Sequence, residues 1–250
     1  MQVSVTVIAR DMENSLKDCL TSARSITDDL VVVVDDRSAD KTLNIAKIYT
    51  PNVFVHSFIN FSQQHIFADS KTKYDWILSL DADETLTPEL ISELKSLPGS
   101  SKFTAFRIPR KNKIFGKIIN HSNWDPDGII RLYRKKLCSW QNEVHEHIVT
   151  PGIVGRLSGS IYHDNYRNVS EFITKQNHYS SLASQRLYQQ GQKFNLGQAI
   201  WAAFYDFFRR FIWHGGWLDG WHGLYLAYLM SIYHFSVWIK LWQKQNLPET

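Results

Sequence analysis

The chain has 250 residues, 44% of them hydrophobic, and a formal net charge of +4. That length supports one α/β domain with an appendage; the charge excludes a nucleic-acid binder held by a strongly basic surface, and two cysteines exclude a disulfide framework. The amino terminus MQVSVTVIARD has no basic region followed by an apolar signal core, so export is not expected and a cytoplasmic location is.

From Val3 to about Leu80 the apolar pattern alternates in the βαβ manner. VSVTVIA predicts a strand, ENSLKDCLTSAR a helix, LVVVVDD a buried parallel strand, DKTLNIAKIY a helix, and VFVHSF and WILSL two further strands. Such nearly continuous apolar strands belong in a sheet covered on both faces. Cys19 shares a helical face with Leu16, Leu20 and Ala23, which predicts a buried, reduced thiol. TLTPEL predicts a helix start with Thr87 as N-cap and Pro88 at the first helical position. After Ser100 the shorter runs FTAFRIPR, GIIRLYR, CSWQNEVHEHI and GRLSGSIYH predict a mostly antiparallel part that completes a site on the first. From Asn168 the pattern is helical, and six of the nine tryptophans lie after residue 200. The expected division is therefore 1–165, made of a nucleotide-binding half (1–100) and an acceptor or catalytic half (101–165), followed by an aromatic-rich helical region over 166–250.

Acidic residues mark the strand ends. Asp35 and Asp36 close the second strand and Asp81 and Asp83 the fourth, and in an open α/β sheet ligands bind beyond the carboxyl ends of the strands. An acid at the end of strand two accepts hydrogen bonds from a ribose or a base. A dinucleotide site is excluded, because IARDMENS follows strand one without a glycine. Asp81 and Asp83, at i and i+2, point the same way in extended chain and suit magnesium or manganese clamped onto a diphosphate. His145 and His147, with His163 as a third ligand, frame the alternative of a metal-dependent hydrolase, although the acids at 81 and 83 form the harder oxygen site. In RLYRKK, Arg131 or Arg134 is a candidate to hold a diphosphate, the other reading being a solvated basic strand edge.

The blocks VTVIARDMENSLKDCLTSA, VVVVDDRSADKT and WILSLDADETLTPEL resemble those of family 2 glycosyltransferases of the GT-A fold. More narrowly, WDPDGIIRLYRKK, VHEHI, IYHDNYRNVSEFI and HGGWLDGWHGL are similar to the bacterial lipopolysaccharide and lipooligosaccharide inner-core β-1,4-glucosyltransferases. The resemblance implies an α/β GT-A nucleotide-sugar-binding domain with a mixed, mainly parallel sheet and a C-terminal helical extension. It implies an inverting transfer of a hexose, glucose or a relative, from a UDP-sugar to a heptose of a lipid-linked core oligosaccharide at the cytoplasmic surface of the inner membrane. Carried over by residue, it places Ala9, Asp11, Arg131 and Arg134 with Asp35 around the nucleotide sugar, Asp35 on the uridine and Asp81 on the ribose or the metal. Asp83 ligates Mg2+ or Mn2+, and His163 resembles the late histidine that completes the metal shell in some enzymes of this fold. Glu146 of the VHE motif becomes the base that takes the acceptor hydroxyl's proton, with Glu143 as the fallback. Two departures stand out: Arg37, where the family often has glycine, and His65 with Ile66, where the subgroup commonly has an Arg-Asn pair. Other readings are a family 2 transferase acting on another glycan or a polyisoprenoid lipid, and a membrane-bound scaffold without activity.

No apolar run reaches the roughly 18 residues of a spanning helix. GLYLAYLMSIYHFSVWIKLW does place Leu224, Tyr228, Ile232, Phe235, Ile239 and Trp242 on one helical face. With Arg209, Arg210, Lys240 and Lys244 nearby, both a buried stripe and an interfacial helix pair joined through HGGWLDG are open.

Overall fold

A computed structural model describes residues 1–99, 101–124, 127–141 and 147–247 of the chain. Two compact units are present: Met1–Lys111 with Pro126–Asp164, and Asn112–Asp125 with Asn165–Thr250. The second thus takes in residues 112–125, which the sequence pattern groups with the acceptor or catalytic half of 1–165.

In chain order the first unit's elements begin with β1 (Val3–Ala9), α1 (Leu16–Arg24), β2 (Asp29–Asp35), α2 (Thr42–Tyr49), β3 (Val53–His56) and α3 (Phe61–Ser70). They continue with β4 (Trp76–Asp81), β5 (Glu84–Leu86), α4 (Pro88–Ser96) and β6 (Phe103–Ile114), whose last residues, like β7 (Lys117–Ile118), belong to the second unit. Then come β8 (Asp127–Arg134), β9 (Ser139–Gln141), β10 (His147–Val149), β11 (Ile153–Arg156) and β12 (Ile161–Tyr166), whose last two residues belong to the second unit. The sheet order is β3-β2-β1-β4-β8-β6-β12-β5. Its first four strands run parallel and β8 is antiparallel to both of its neighbours, β4 and β6, while the short β9 and β10 form a separate pair.

All seven residues of β2 are buried, which is why its valine run needs no polar alternation. Helix α1 buries Leu16, Cys19, Leu20 and Ala23 against the sheet core that includes Val5, Val7, Leu30 and Leu78. Thr87 caps α4 by accepting from the Leu90 amide at 3.2 Å, with Pro88 in the first turn. Helix α3 was not expected from the pattern, since FSQQHIFADS carries no apolar stripe. It starts where the Asn60 side chain accepts from the Gln63 amide at 2.9 Å.

The second unit holds α5 (Val169–Gln189), α6 (Leu196–Phe208), a π-helical turn (Arg209–Trp213), a 3-10 turn (Gly216–Asp219) and α7 (Trp221–Asn246). Asn168 and Asn195 cap α5 and α6 by accepting from the amides of Glu171 and Gln198. Ile114, Ile119, Tyr166, Phe172, Leu226, Leu229 and Met230 form its core. At Gly223 a Cβ would lie 1.7 Å from the Gly216 carbonyl oxygen, so only glycine permits α7 to start against that turn.

Candidate active site

Pairing sets the carboxyl ends of three strands level. Ala9 lies beside Val34, and Ile8 beside Asp81, so Asp35, Arg10 and Ala82 emerge together at one edge. Parallel neighbours are spaced about 4.8 Å apart, which puts the β2 and β4 ends on the order of 10 Å from each other, with β1 between.

Asp35 is 3% exposed. Its Oδ1 accepts from the Arg37 amide and Nε, each at 3.0 Å, and its Oδ2 from Arg37 Nη2 at 2.7 Å. The Arg37 hydrogen bonds, outweighing partial burial, hold the Asp35 carboxyl well below the usual carboxylate range. The same guanidinium lies over the Phe58 ring, 5.4 Å from its centroid. Asp11, at φ 52°, ties the first loop to the second by accepting from the Ala39 amide at 2.8 Å. Asp40 returns the tie by accepting from the Glu13 amide at 2.8 Å. Ala9 is a buried strand end beneath this pair of loops.

At the end of β4, the acids of DADE part ways. Asp81 is bonded by Arg131 Nη2, and the same nitrogen donates to Glu84 Oε1 at 3.1 Å. Glu84 is fully buried; its Oε2 accepts from the Asp81 amide at 3.0 Å, and Arg110 Nη1 lies 3.8 Å from its Oε1. Burial opposes ionisation of Asp81, but Arg131 overrides it and keeps that carboxyl below its ordinary range. Burial, with the Asp81 charge adding to it, pushes Glu84 up. Much of the repulsion among these acids is therefore met by an internal guanidinium, Arg131, which the sequence suggested as a phosphate binder. Arg134 lies elsewhere. It pairs with Trp76 at the amino end of β4 and stacks over that ring at 5.2 Å, because β8 runs antiparallel to β4 and carries its last residue away from the acidic edge.

Asp83 faces a different partner. β12 pairs antiparallel with β5 so that His163 lies opposite Glu84, and the Asp164 amide donates to the Asp83 carbonyl at 3.0 Å. His163 Nε2 stands 3.4 Å from Asp83 Oδ2, with both side chains partly exposed. Among the described residues, no three His, Cys, Asp or Glu side chains gather as a metal-binding group. A carboxylate oxygen and an imidazole nitrogen side by side nonetheless fit a Mg2+ or Mn2+ ion that takes its remaining ligands from a diphosphate and water. Glu146, Glu143 and His145 lie outside the described residues, and His147 begins β10.

A buried polar cluster went unassigned in the sequence. The Tyr133 hydroxyl donates to the Asp69 carboxylate at 2.8 Å, and Trp140 Nε1 donates to it at 3.2 Å. His65 is 1% exposed, stacks on Trp140 with centroids 3.9 Å apart, and sits 3.3 Å from Ser79 Oγ through Nδ1. Burial, aided by Arg131, lowers its pKa to about 4, so the ring is neutral near neutral pH. The available signal was QQHIFA, where histidine and isoleucine replace a polar pair.

A parallel half, an antiparallel extension and an Asp-Ala-Asp sequence at a strand end are the features of the GT-A fold. The chain belongs to glycosyl transferase family 2, whose model matches residues 4–148. A glycosyltransferase of Rickettsia typhi is 30% identical over 215 residues, covering 78% of this chain and 70% of the relative. The lipopolysaccharide core biosynthesis glycosyltransferase LpsC of Rhizobium meliloti is 27% identical, covering 99% of this chain and 94% of its own. Among solved structures, S. aureus TarS 1-349 is 15% identical with a TM-score of 0.46, covering 99% of this chain and 93% of that one. Family membership makes the chain an enzyme that transfers a sugar, and it removes the metal-dependent hydrolase and the inactive scaffold from consideration.

Proposed function

We propose that the protein transfers a hexose, glucose or a close relative, from a UDP-sugar to a heptose of a lipid-linked core oligosaccharide, with inversion. The observation that supports this most directly is the level row of strand ends carrying Asp35, Asp81 and Asp83, with His163 beside Asp83. In this reading Asp35 faces the uridine, Ala9 and Asp11 shape the loop over it, and Asp81, fixed by Arg131, faces the ribose. Asp83 and His163 hold Mg2+ or Mn2+, which when bound neutralises the departing diphosphate. Direct displacement at the anomeric carbon also needs one carboxylate to take the acceptor hydroxyl's proton, the role assigned to Glu146. The similarity to LpsC along nearly the whole chain supports the core-oligosaccharide acceptor.

Incubation with a panel of UDP-sugars and Mg2+ or Mn2+, read by UDP release, tests the donor. Mass analysis of lipid core from cells lacking the protein tests the acceptor. Release from no UDP-sugar overturns the donor assignment, and an unchanged core overturns the acceptor.

A further inference from the structure

An exposed aromatic face runs through the second unit from α6 to the start of α7. Ile200, Trp201, Phe204, Phe208, Ile212 and Trp213 line an open groove of about 500 Å³ on α6 and the π-helical turn. Trp201 and Trp213 are each 69% exposed, and Trp217 and Trp221, which follow in the 3-10 turn and at the start of α7, are 57% and 83% exposed. An exposed apolar groove of this kind marks a binding surface.

Charge identifies the partner. Within residues 193–247 the only acids are Asp206 and Asp219, and each is 3% exposed. Asp206 is closed by Arg209 and Arg210, and Asp219 by the amides of Asn120 and His121. Neither presents a negative charge to the face. The second unit carries ten Lys and Arg against five Asp and Glu, the first 18 against 19, so the chain's net positive charge resides wholly in the unit with the aromatic face. Tryptophan and tyrosine, with an apolar body and a polar edge, favour the boundary between hydrocarbon and water. The unit's net positive charge favours anionic headgroups. No helix among the described residues is long and apolar enough to cross a membrane, so a bilayer would be engaged at its surface.

We propose that the α6 and π-turn face, centred on Trp201 and Trp213, seats in the headgroup region of an anionic lipid bilayer, its groove receiving the ends of acyl chains. The contact requires neither donor nor acceptor. The exposed stripe of α7, Tyr228, Ile232 and Trp242, is not its centre.

The test is flotation of the full chain with phosphatidylglycerol vesicles and with phosphatidylcholine vesicles, at low and high salt and without nucleotide. Strong, salt-sensitive binding to the anionic vesicles is expected, with weak binding to the zwitterionic ones. W201S/W213S should lower the partition coefficient at least about tenfold, since each exposed indole contributes its own insertion energy. W221S, the single change at the most exposed indole, should lower it less and serves as the milder variant should the double one fold poorly. Thermal melting verifies that the variants are folded, and UDP binding, measured separately, reports on the donor site alone. The proposal is overturned if the parent stays in the aqueous phase, if parent and folded variants float equally, or if the face instead mediates a concentration-dependent dimer that W201S/W213S abolishes while vesicle binding persists.

Discussion

Arg37 closes on Asp35 through both carboxylate oxygens, Nε on Oδ1 at 3.0 Å and Nη2 on Oδ2 at 2.7 Å. This is the position where family 2 sequences often place glycine, so the chain adds a cation beside the acid proposed to meet the uridine. Because the folded carboxyl has a lowered pKa, the pair contributes stability that is fully present above the unfolded value of about 4 and is lost as pH falls toward the folded value. Arg37→Gly should therefore be less stable than the parent at neutral pH, and the gap should narrow in acid. Urea denaturation of both proteins at neutral pH and near pH 3 reads this directly. A gap that is constant with pH would show that Arg37 acts through packing on Phe58 instead.

Arg131 and Glu84 are both buried, at 7% and 0% exposure, and one guanidinium nitrogen serves Glu84 and Asp81 together. Removing one partner of a buried ion pair leaves the other charge uncompensated and typically costs about 3 to 5 kcal/mol. Arg131→Ala should lose stability on that scale, and adding Glu84→Gln should restore part of it. Equilibrium unfolding of the single and double variants checks this. If Arg131→Ala is as stable as the parent, the guanidinium is free for a ligand, as the sequence alone suggested.

The parallel half was legible because its signals are local. Continuous valine runs, the Leu16, Cys19, Leu20 and Ala23 stripe, and the Thr87-Pro88 cap each fix an element without help from distant chain. The strand-end acids were legible too, since βαβ alternation alone sets the ends of β1, β2 and β4 level. What the sequence could not show was how the charges pair. Arg131 reaches Glu84 across 47 positions, and RLYRKK by itself does not say which arginine turns inward. The antiparallel register decides it, carrying Arg131 to the acidic edge and Arg134 to the far end of β4. Helix α3 escaped for a different reason: its buried residues are Ser62, Gln64, His65 and Ala68, so hydrophobic periodicity gave no trace.

Asp83 and His163 supply the test of the metal. With a carboxylate oxygen and an imidazole nitrogen 3.4 Å apart, an ion held by both should bind more tightly once UDP contributes its phosphate oxygens. Titration of Mn2+ with and without UDP, followed by the spectroscopic signal of free Mn2+, should show that synergy. Asp83→Asn should weaken Mn2+ binding in the presence of UDP at least about tenfold while the thermal melt stays close to the parent's. Unchanged Mn2+ affinity in that variant removes Asp83 from the ligand set.

Asp69 offers a pH signature of its own. Burial raises its pKa to about 7 despite the donors Tyr133 and Trp140, so the folded state holds a proton that the unfolded chain releases near pH 4. Between those values the native state binds more protons than the unfolded state, and stability must fall as pH rises through the window. Asp69→Asn removes the titration while keeping an oxygen to accept from the Tyr133 hydroxyl. Its stability should therefore fall less steeply between about pH 4 and pH 7 than the parent's, with the two curves closest, or crossed in favour of the variant, at the upper end. Urea unfolding at several pH values across that window measures the slope. Equal slopes for parent and variant would mean that Asp69 ionises as an ordinary carboxylate inside the fold, with its three-way contact to Tyr133 and Trp140 stabilising the charge rather than the proton.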